Sequence, residues 1–195
     1  MPFHICRTLE KLLPIGRLDL LAKWPTNDAN QETINLISEG LEAGLSRHGQ
    51  LYMSDKQNDF SVSSTAIELL FEQVRQRFYP HRPSRMQSFF AVPDEASLLK
   101  IKLPSPVPFH IAYEVSEVIP DSSFTANMNL LHIGNPGGFS IAYAHAYWRG
   151  EQGPADPMWE ILIPHSVNII RQLPPVMLPQ TNLQAPESSS ALATQ

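Results

Sequence analysis

Proline placement is the constraint that most limits how this chain can fold. There are 18 prolines in 195 residues, about 9% against a usual share near 5%. None falls between Pro25 and Pro80, whereas Pro104, Pro106 and Pro108 sit almost side by side and Pro174, Pro175, Pro179 and Pro186 crowd the end. Proline lacks an amide donor and clashes with the preceding turn, so long helices are confined to the proline-free stretch. The rest is expected to form strands and loops.

Inside that stretch Ile34, Leu36, Ile37, Leu41 and Leu45 follow a helical stripe, with Asn27 or Asp28 as a capping oxygen, which predicts a helix over 29–46. A second helix is predicted from Ser63 or Ser64. Ile67, Leu70, Phe71, Val74 and Phe78 mark its buried face, Glu68 and Glu72 sit favourably near its start, and it stops by Tyr79, before Pro80. After Pro83, short apolar runs predict strands at 87–92, 109–118, 140–148 and 159–170, with a further strand at Phe3–Arg7. Asn135-Pro136-Gly137-Gly138 is a turn signal ahead of the segment in which Ile141, Tyr143, His145 and Tyr147 alternate with Ala142, Ala144 and Ala146. Helices early and strands late, without strand-helix alternation, predict an α+β domain with a mainly antiparallel sheet. The domain is expected to span residues 1–173, followed at 174–195 by a proline- and serine-rich disordered or extended tail.

Composition narrows the chemistry. With 43% hydrophobic and 17% charged residues the chain can build a core, and a net charge of -5 argues against tight sequence-independent binding to duplex nucleic acid. The single Cys6 excludes an intrachain disulfide and multi-cysteine metal sites, and the seven histidines show no pair at a helical ligand spacing, so no metal is expected. Neither a signal peptide nor an apolar run of membrane-spanning length is found, which predicts a soluble cytoplasmic protein without membrane partners, leaving open export by a route that reads no such signal. Phosphate loops, dinucleotide glycine turns, nucleophile elbows and zinc-protease helices are absent from the sequence.

Three segments carry unusual chemistry. In Phe3-His4-Ile5-Cys6-Arg7-Thr8, strand alternation puts Arg7 on the side of Phe3 and Ile5, where its planar fork needs a carboxylate or phosphate partner. In Pro83-Ser84-Arg85-Met86-Gln87-Ser88-Phe89-Phe90-Ala91, a polar entry leads into an apolar strand; Ser84 and Ser88 could position a ligand and Arg85 could hold a phosphate, or the segment is an ordinary strand start. In Met158-Trp159-Glu160-Ile161-Leu162-Ile163-Pro164, Glu160 is flanked by Trp159 and aliphatics. Its carboxylate must hydrogen-bond strongly or stabilise positive charge, unless it lies on an exposed edge.

The order of these segments resembles the ADP-ribosyltransferase superfamily, in the toxin-like branch with an Arg on the first strand, a Ser-containing middle strand and a late Glu. Phe71-Glu72-Gln73-Val74-Arg75, leading into the middle segment, and Tyr147-Trp148-Arg149-Gly150, shortly before the Glu, add to the likeness. The resemblance implies a split antiparallel β core that takes NAD as substrate. Arg7 would hold phosphate or ribose, with His4 competing for that role as in the histidine-bearing branch. Ser84 or Ser88 would support the nicotinamide-ribose, Arg85 would contact phosphate, and Glu160 would stabilise the oxocarbenium-like cation as nicotinamide leaves. ADP-ribose would pass to a macromolecular acceptor, protein or nucleic acid, as in a toxin or effector, or to water in an NAD glycohydrolase. The family's Ser-x-Ser element is not matched by Ser84 and Ser88; Ser61-Val62-Ser63 has that form but comes earlier. Met158 stands where members that modify protein side chains often carry Gln or Glu.

Two other functions stay open on the residues alone. One is a noncatalytic interaction module using a sheet edge and the Leu173-Pro174-Pro175-Val176-Met177-Leu178-Pro179 segment. The other is a nucleic-acid binder using Arg75, Arg77, His81, Arg82 and Arg85, a cluster that also suits a solvated helix end.

Overall fold

The computed structural model describes residues 3–6, 12–21, 32, 35, 38–53, 62–100, 109–132, 137–153 and 156–177. Among them are strands β1 (Phe3–Cys6), β2 (Gly16–Leu18), β3 (Ser88–Ala91), β4 (Phe109–Glu117), β5 (Phe124–Asn127), β6 (Trp159–Pro164), β7 (Val167–Gln172) and β8 (Val176–Met177). The helices are α1 (Arg47–Met53), α2 (Val62–Phe78), α3 (Glu95–Lys100) and α4 (Gly138–Arg149), with short 3-10 turns at Arg85–Gln87 and Met128–Leu130. The architecture is α+β with two antiparallel sheets.

The larger sheet has the order β1-β4-β7-β2, and β8 pairs with β4 beyond the end of β7. The smaller has the order β3-β6-β5. The sheets share a core in which Phe89, Ala91 and Ile163 of the smaller meet Ile111, Tyr113, Val115, Val167 and Ile169 of the larger. Strand alternation then turns Glu160 and Leu162 to the opposite face. There Phe71 and Val74 of α2 and Ala144, Tyr147 and Trp148 of α4 pack on Leu162, Phe124 and Ala126. The Trp148 indole donates to the Phe71 carbonyl at 2.8 Å, tying the two helices together. The smaller sheet is thus the middle layer, with β6 at its centre.

Several elements follow directly from the proline constraint. The longest described helix, α2, lies in the proline-free stretch and stops just before Pro80. Strands β1, β3 and β4 fall where the apolar runs predict them.

Four sequence expectations are corrected. Residues 140–148 are helical, not a strand: Ser140, Ala144, Tyr147 and Trp148 are buried at helical spacing, and Gly150 closes α4 in the left-handed conformation at φ 73°. Alanine alternating with bulky residues satisfies both periods, and burial at helical spacing against the smaller sheet decides between them. The segment predicted as one strand over 159–170 is two strands, β6 and β7, which do not pair with each other; the chain crosses from the smaller sheet to the larger at His165 and Ser166. The helix expected over 29–46 does not persist to its end. Glu32 and Asn35 are helical, but from Ser38 the chain turns, Gly40 and Gly44 take positive φ, and Leu45 bridges to Leu21. Helices do not all precede strands, since α3 and α4 lie between them. Of the expected tail, Val176 and Met177 pair with the edge of β4 as β8, and 178–195 lie outside the described residues.

Helix α1 is seated by close backbone approach. A Cβ built on Gly49 would lie 2.1 Å from the Met86 carbonyl oxygen, so only glycine fits against the turn that precedes β3. Gly49→Ala is expected to destabilise the protein by about 3 kcal/mol. Gly137→Ala, where a Cβ meets nothing within 4 Å, should change stability by no more than about 0.5 kcal/mol. Urea unfolding midpoints distinguish the two; equal effects would contradict this packing.

Candidate functional site

Buried charge concentrates where the Arg85–Gln87 turn passes between α2, α4 and β6. Ser84 starts the turn as its N-cap, accepting from the Met86 amide at 3.1 Å, and this fixes the direction in which Arg85 projects. The Arg85 side chain is 3% exposed. Its Nε and Nη2 donate to Glu68 Oε2 and Oε1 at 2.8 and 2.9 Å, a two-pronged bond from guanidinium to carboxylate. Its Nη1 donates to Glu160 Oε1 at 2.5 Å and lies equally close to the Tyr147 hydroxyl, which itself donates to Glu160 Oε1 at 2.7 Å. The guanidinium carbon sits 4.7 Å from the Phe90 ring centroid.

The electrostatics follow from this closure. Burial opposes the charge on Arg85, but the Glu160 and Glu68 carboxylates outweigh it and hold the guanidinium ionised even more firmly than in water. Burial also works to raise the Glu68 pKa; the charges of Arg85 and His48 overcome it and hold that carboxyl well below the usual carboxylate range. Burial pushes the Tyr147 phenol up, so Tyr147 acts as a neutral donor. His48 Nε2 lies 3.3 Å from Glu68 Oε2, with its ring against Tyr52 and Phe90. A chain of polar groups therefore runs from half-buried His48 through Glu68 and Arg85 to Glu160.

A second cluster adjoins the first. Arg75 Nε and Nη2 donate to Glu72 Oε1 at 3.0 and 2.8 Å, and Ser84 Oγ donates to the same oxygen at 2.9 Å. Ser88 Oγ donates to the Ser84 carbonyl at 2.6 Å. Ser84 and Ser88 also line a cleft of about 450 Å³ together with Arg75, Arg82, Gln87 and His165.

Arg85 and Glu160, 75 positions apart, are in direct contact. Ser84 and Ser88 flank that contact, and β3 pairs in register with β6, Ser88 opposite Pro164. Glu160 is buried and hydrogen-bonded, one of the alternatives its apolar flanks left open, and is not on an exposed edge. It does not line the cleft. His4 lies on β1, paired with Tyr113 of β4 in the larger sheet. Arg7 lies outside the described residues. The basic cluster divides: Arg75 and Arg85 are buried in ion pairs, while Arg77 and His81 are exposed. Among the described residues no helix is long and apolar enough to cross a membrane.

Sequence reading overlooked Glu68, Glu72 and His48 as site residues. The signal was present in the spacing: Glu68, Glu72 and Arg75 stand one turn apart on the face that also buries Phe71 and Val74. Carboxylates on an apolar face need cationic partners.

Residues 26–174 match the family described as "Protein of unknown function (DUF2441)", and the chain belongs to that family. None of the curated proteins matches it.

Two consequences are measurable. Arg85→Met leaves Glu68 and Glu160 buried without their shared cation, and is expected to cost about 3–5 kcal/mol in chemical unfolding; a loss below about 1 kcal/mol would contradict the burial. His165 is held neutral chiefly by burial, only partly offset by its contact with the Leu18 carbonyl and by Asp19. Its folded pKa is lowered, so the unfolded chain takes up the proton first as pH falls below about 6.5. Stability contributed by neutral His165 should thus decline through and below that pH. The difference in unfolding free energy between the protein and His165→Gln should shrink from pH 8 to pH 5, whereas a constant difference would rule this out.

Proposed function

We propose that the chain is an NAD-dependent ADP-ribosyltransferase, or the corresponding NAD glycohydrolase, built on a split antiparallel β core of that superfamily's kind. The observation that carries the reading is the meeting of two motif segments. The Ser84–Ser88 segment runs beside the strand that bears Glu160, and Arg85 holds that carboxyl at 2.5 Å. This is the relation the resemblance implies between the middle element and the late Glu.

The chemistry asked of the site is limited. The bond between nicotinamide and the ribose breaks with its electron pair leaving on nicotinamide, and an acceptor's nucleophilic atom bonds to the same carbon and loses its proton. Positive charge develops on the sugar in between, and a fixed carboxylate stabilises it more in the transition state than in the ground state. Glu160 supplies that group. Arg85 is anchored on its far side by Glu68, so the exchangeable donor to Glu160 is Tyr147, whose place a ribose hydroxyl would take. His4 and Arg7 on and after the first strand would hold the rest of the dinucleotide. The acceptor is a macromolecule, as in a toxin or effector, or water.

One observation favours a second reading. Glu160 Oε1 already accepts from both Arg85 and Tyr147, which suits a structural partner in a noncatalytic interaction module that offers a sheet edge such as β1. Nicotinamide release from NAD separates the two. The transferase reading expects measurable release by the purified protein, and a loss of about 100-fold or more in Glu160→Gln, a change that keeps a hydrogen-bond acceptor for Arg85 and so keeps the fold. Release unaltered in a folded Glu160→Gln, or no release by the parent protein, would leave the noncatalytic reading standing.

A further inference from the structure

The cleft beside the Ser84–Ser88 segment contains a cation that the buried network does not use. Arg75 has its charge matched by Glu72 and gives Nη1 to the carbonyls of Pro80 and Arg82 at 3.5 and 3.1 Å. Ser84 and Ser88 have both committed their hydroxyl protons. Gln87 has one amide proton engaged, donated to the Gly44 carbonyl at 3.0 Å, and keeps the second. Arg82 differs from all of these: among the described residues it has no carboxylate partner, and its Nε is buried without a hydrogen-bond acceptor. Its guanidinium carbon lies 4.3 Å from the centroid of the Phe124 ring, which fixes its position without neutralising it.

Two further features give the cleft its chemistry. Its lining includes no Asp or Glu among the described residues, so Arg82 gives it a positive potential. Glu72 stands one hydrogen bond behind the wall and carries a second buried atom without a partner, Oε2. His165 also lines the cleft and sits with Nδ1 3.1 Å from the Leu18 carbonyl; when neutral and donating there, its other ring nitrogen is an acceptor. The site therefore offers an unpaired guanidinium and a free amide proton for an anion, next to one imidazole acceptor for a hydroxyl.

We propose that this cleft is a binding site for a phosphate-bearing small molecule, with Arg82 as the charged anchor and Gln87 as the second donor. The proposal rests on the cleft alone and not on the transferase reading, since Glu160 does not line it. A free phosphate ion and a phosphomonoester such as a nucleotide share this chemistry.

Titrating the full chain, labelled with nitrogen-15, with inorganic phosphate at constant ionic strength tests the proposal. Saturable amide shifts are expected at Ser84, Gln87, Ser88 and His165. In Arg82→Gln the apparent Kd should rise by about tenfold or more, and Arg82→Lys, which keeps the charge, should fall between. A parallel titration with AMP and with adenosine identifies the source. Tighter binding of AMP than of phosphate assigns the site to nucleotides, equal affinities assign it to the phosphate group itself, and in either case adenosine should not bind there. No saturable shift with phosphate or AMP, adenosine binding as well as AMP, or an Arg82→Gln Kd equal to that of the parent would overturn the proposal.

Discussion

One guanidinium shared between two carboxylates organises this molecule. Arg85 is drawn into the interior by Glu68 from α2 and Glu160 from β6, and Tyr147 of α4 closes a third side. Removing an ion from water costs several kcal/mol even after relaxation, so the arrangement persists only because nearly every donor finds an oxygen. Three elements far apart in sequence are thereby held against the turn that leads into β3.

That constraint explains both the order of layers and the nature of the candidate site. A sheet face carrying only Leu162, Phe124 and Ala126 would accept helices in several orientations, because apolar burial has no direction. The charged fork does have direction: Glu68 must face Arg85, which sets the rotation of α2 about its axis, and Tyr147 must reach Glu160, which sets α4. The same closeness puts the Ser-bearing segment beside the late carboxyl, the juxtaposition on which the catalytic reading depends. The turn also stands between two groups of polar side chains, the buried Arg85 network and the cleft lined by Arg82, Ser84 and Ser88.

Much of this was legible in the chain. Proline spacing bounded α2, the apolar runs located β3 and β4, and the flanks of Glu160 called for a bonded carboxylate unless it lay on an exposed edge. Legibility failed where two periods coincide. Alanine alternating with Tyr143, His145 and Tyr147 fits a pleat and a helix alike, and only the burial of Ser140, Ala144, Tyr147 and Trp148 against a separate sheet settles it. It failed again at Glu68: its place on an apolar face calls for a cation, but local spacing holds no record that the cation is Arg85, whereas Glu72 has its partner three residues on in Arg75. The break of the long run at Pro164 into two strands in different sheets is likewise a tertiary event.

The most direct measurement of the central interaction is the nitrogen-15 spectrum of the arginine side chains. Arg85 is expected to show individually resolved Nη resonances with slow rotation and slow exchange with water, in contrast to Arg17 and Arg171, whose side chains are 60% and 67% exposed. A single averaged Nη signal from Arg85, exchanging as fast as those two, would contradict it.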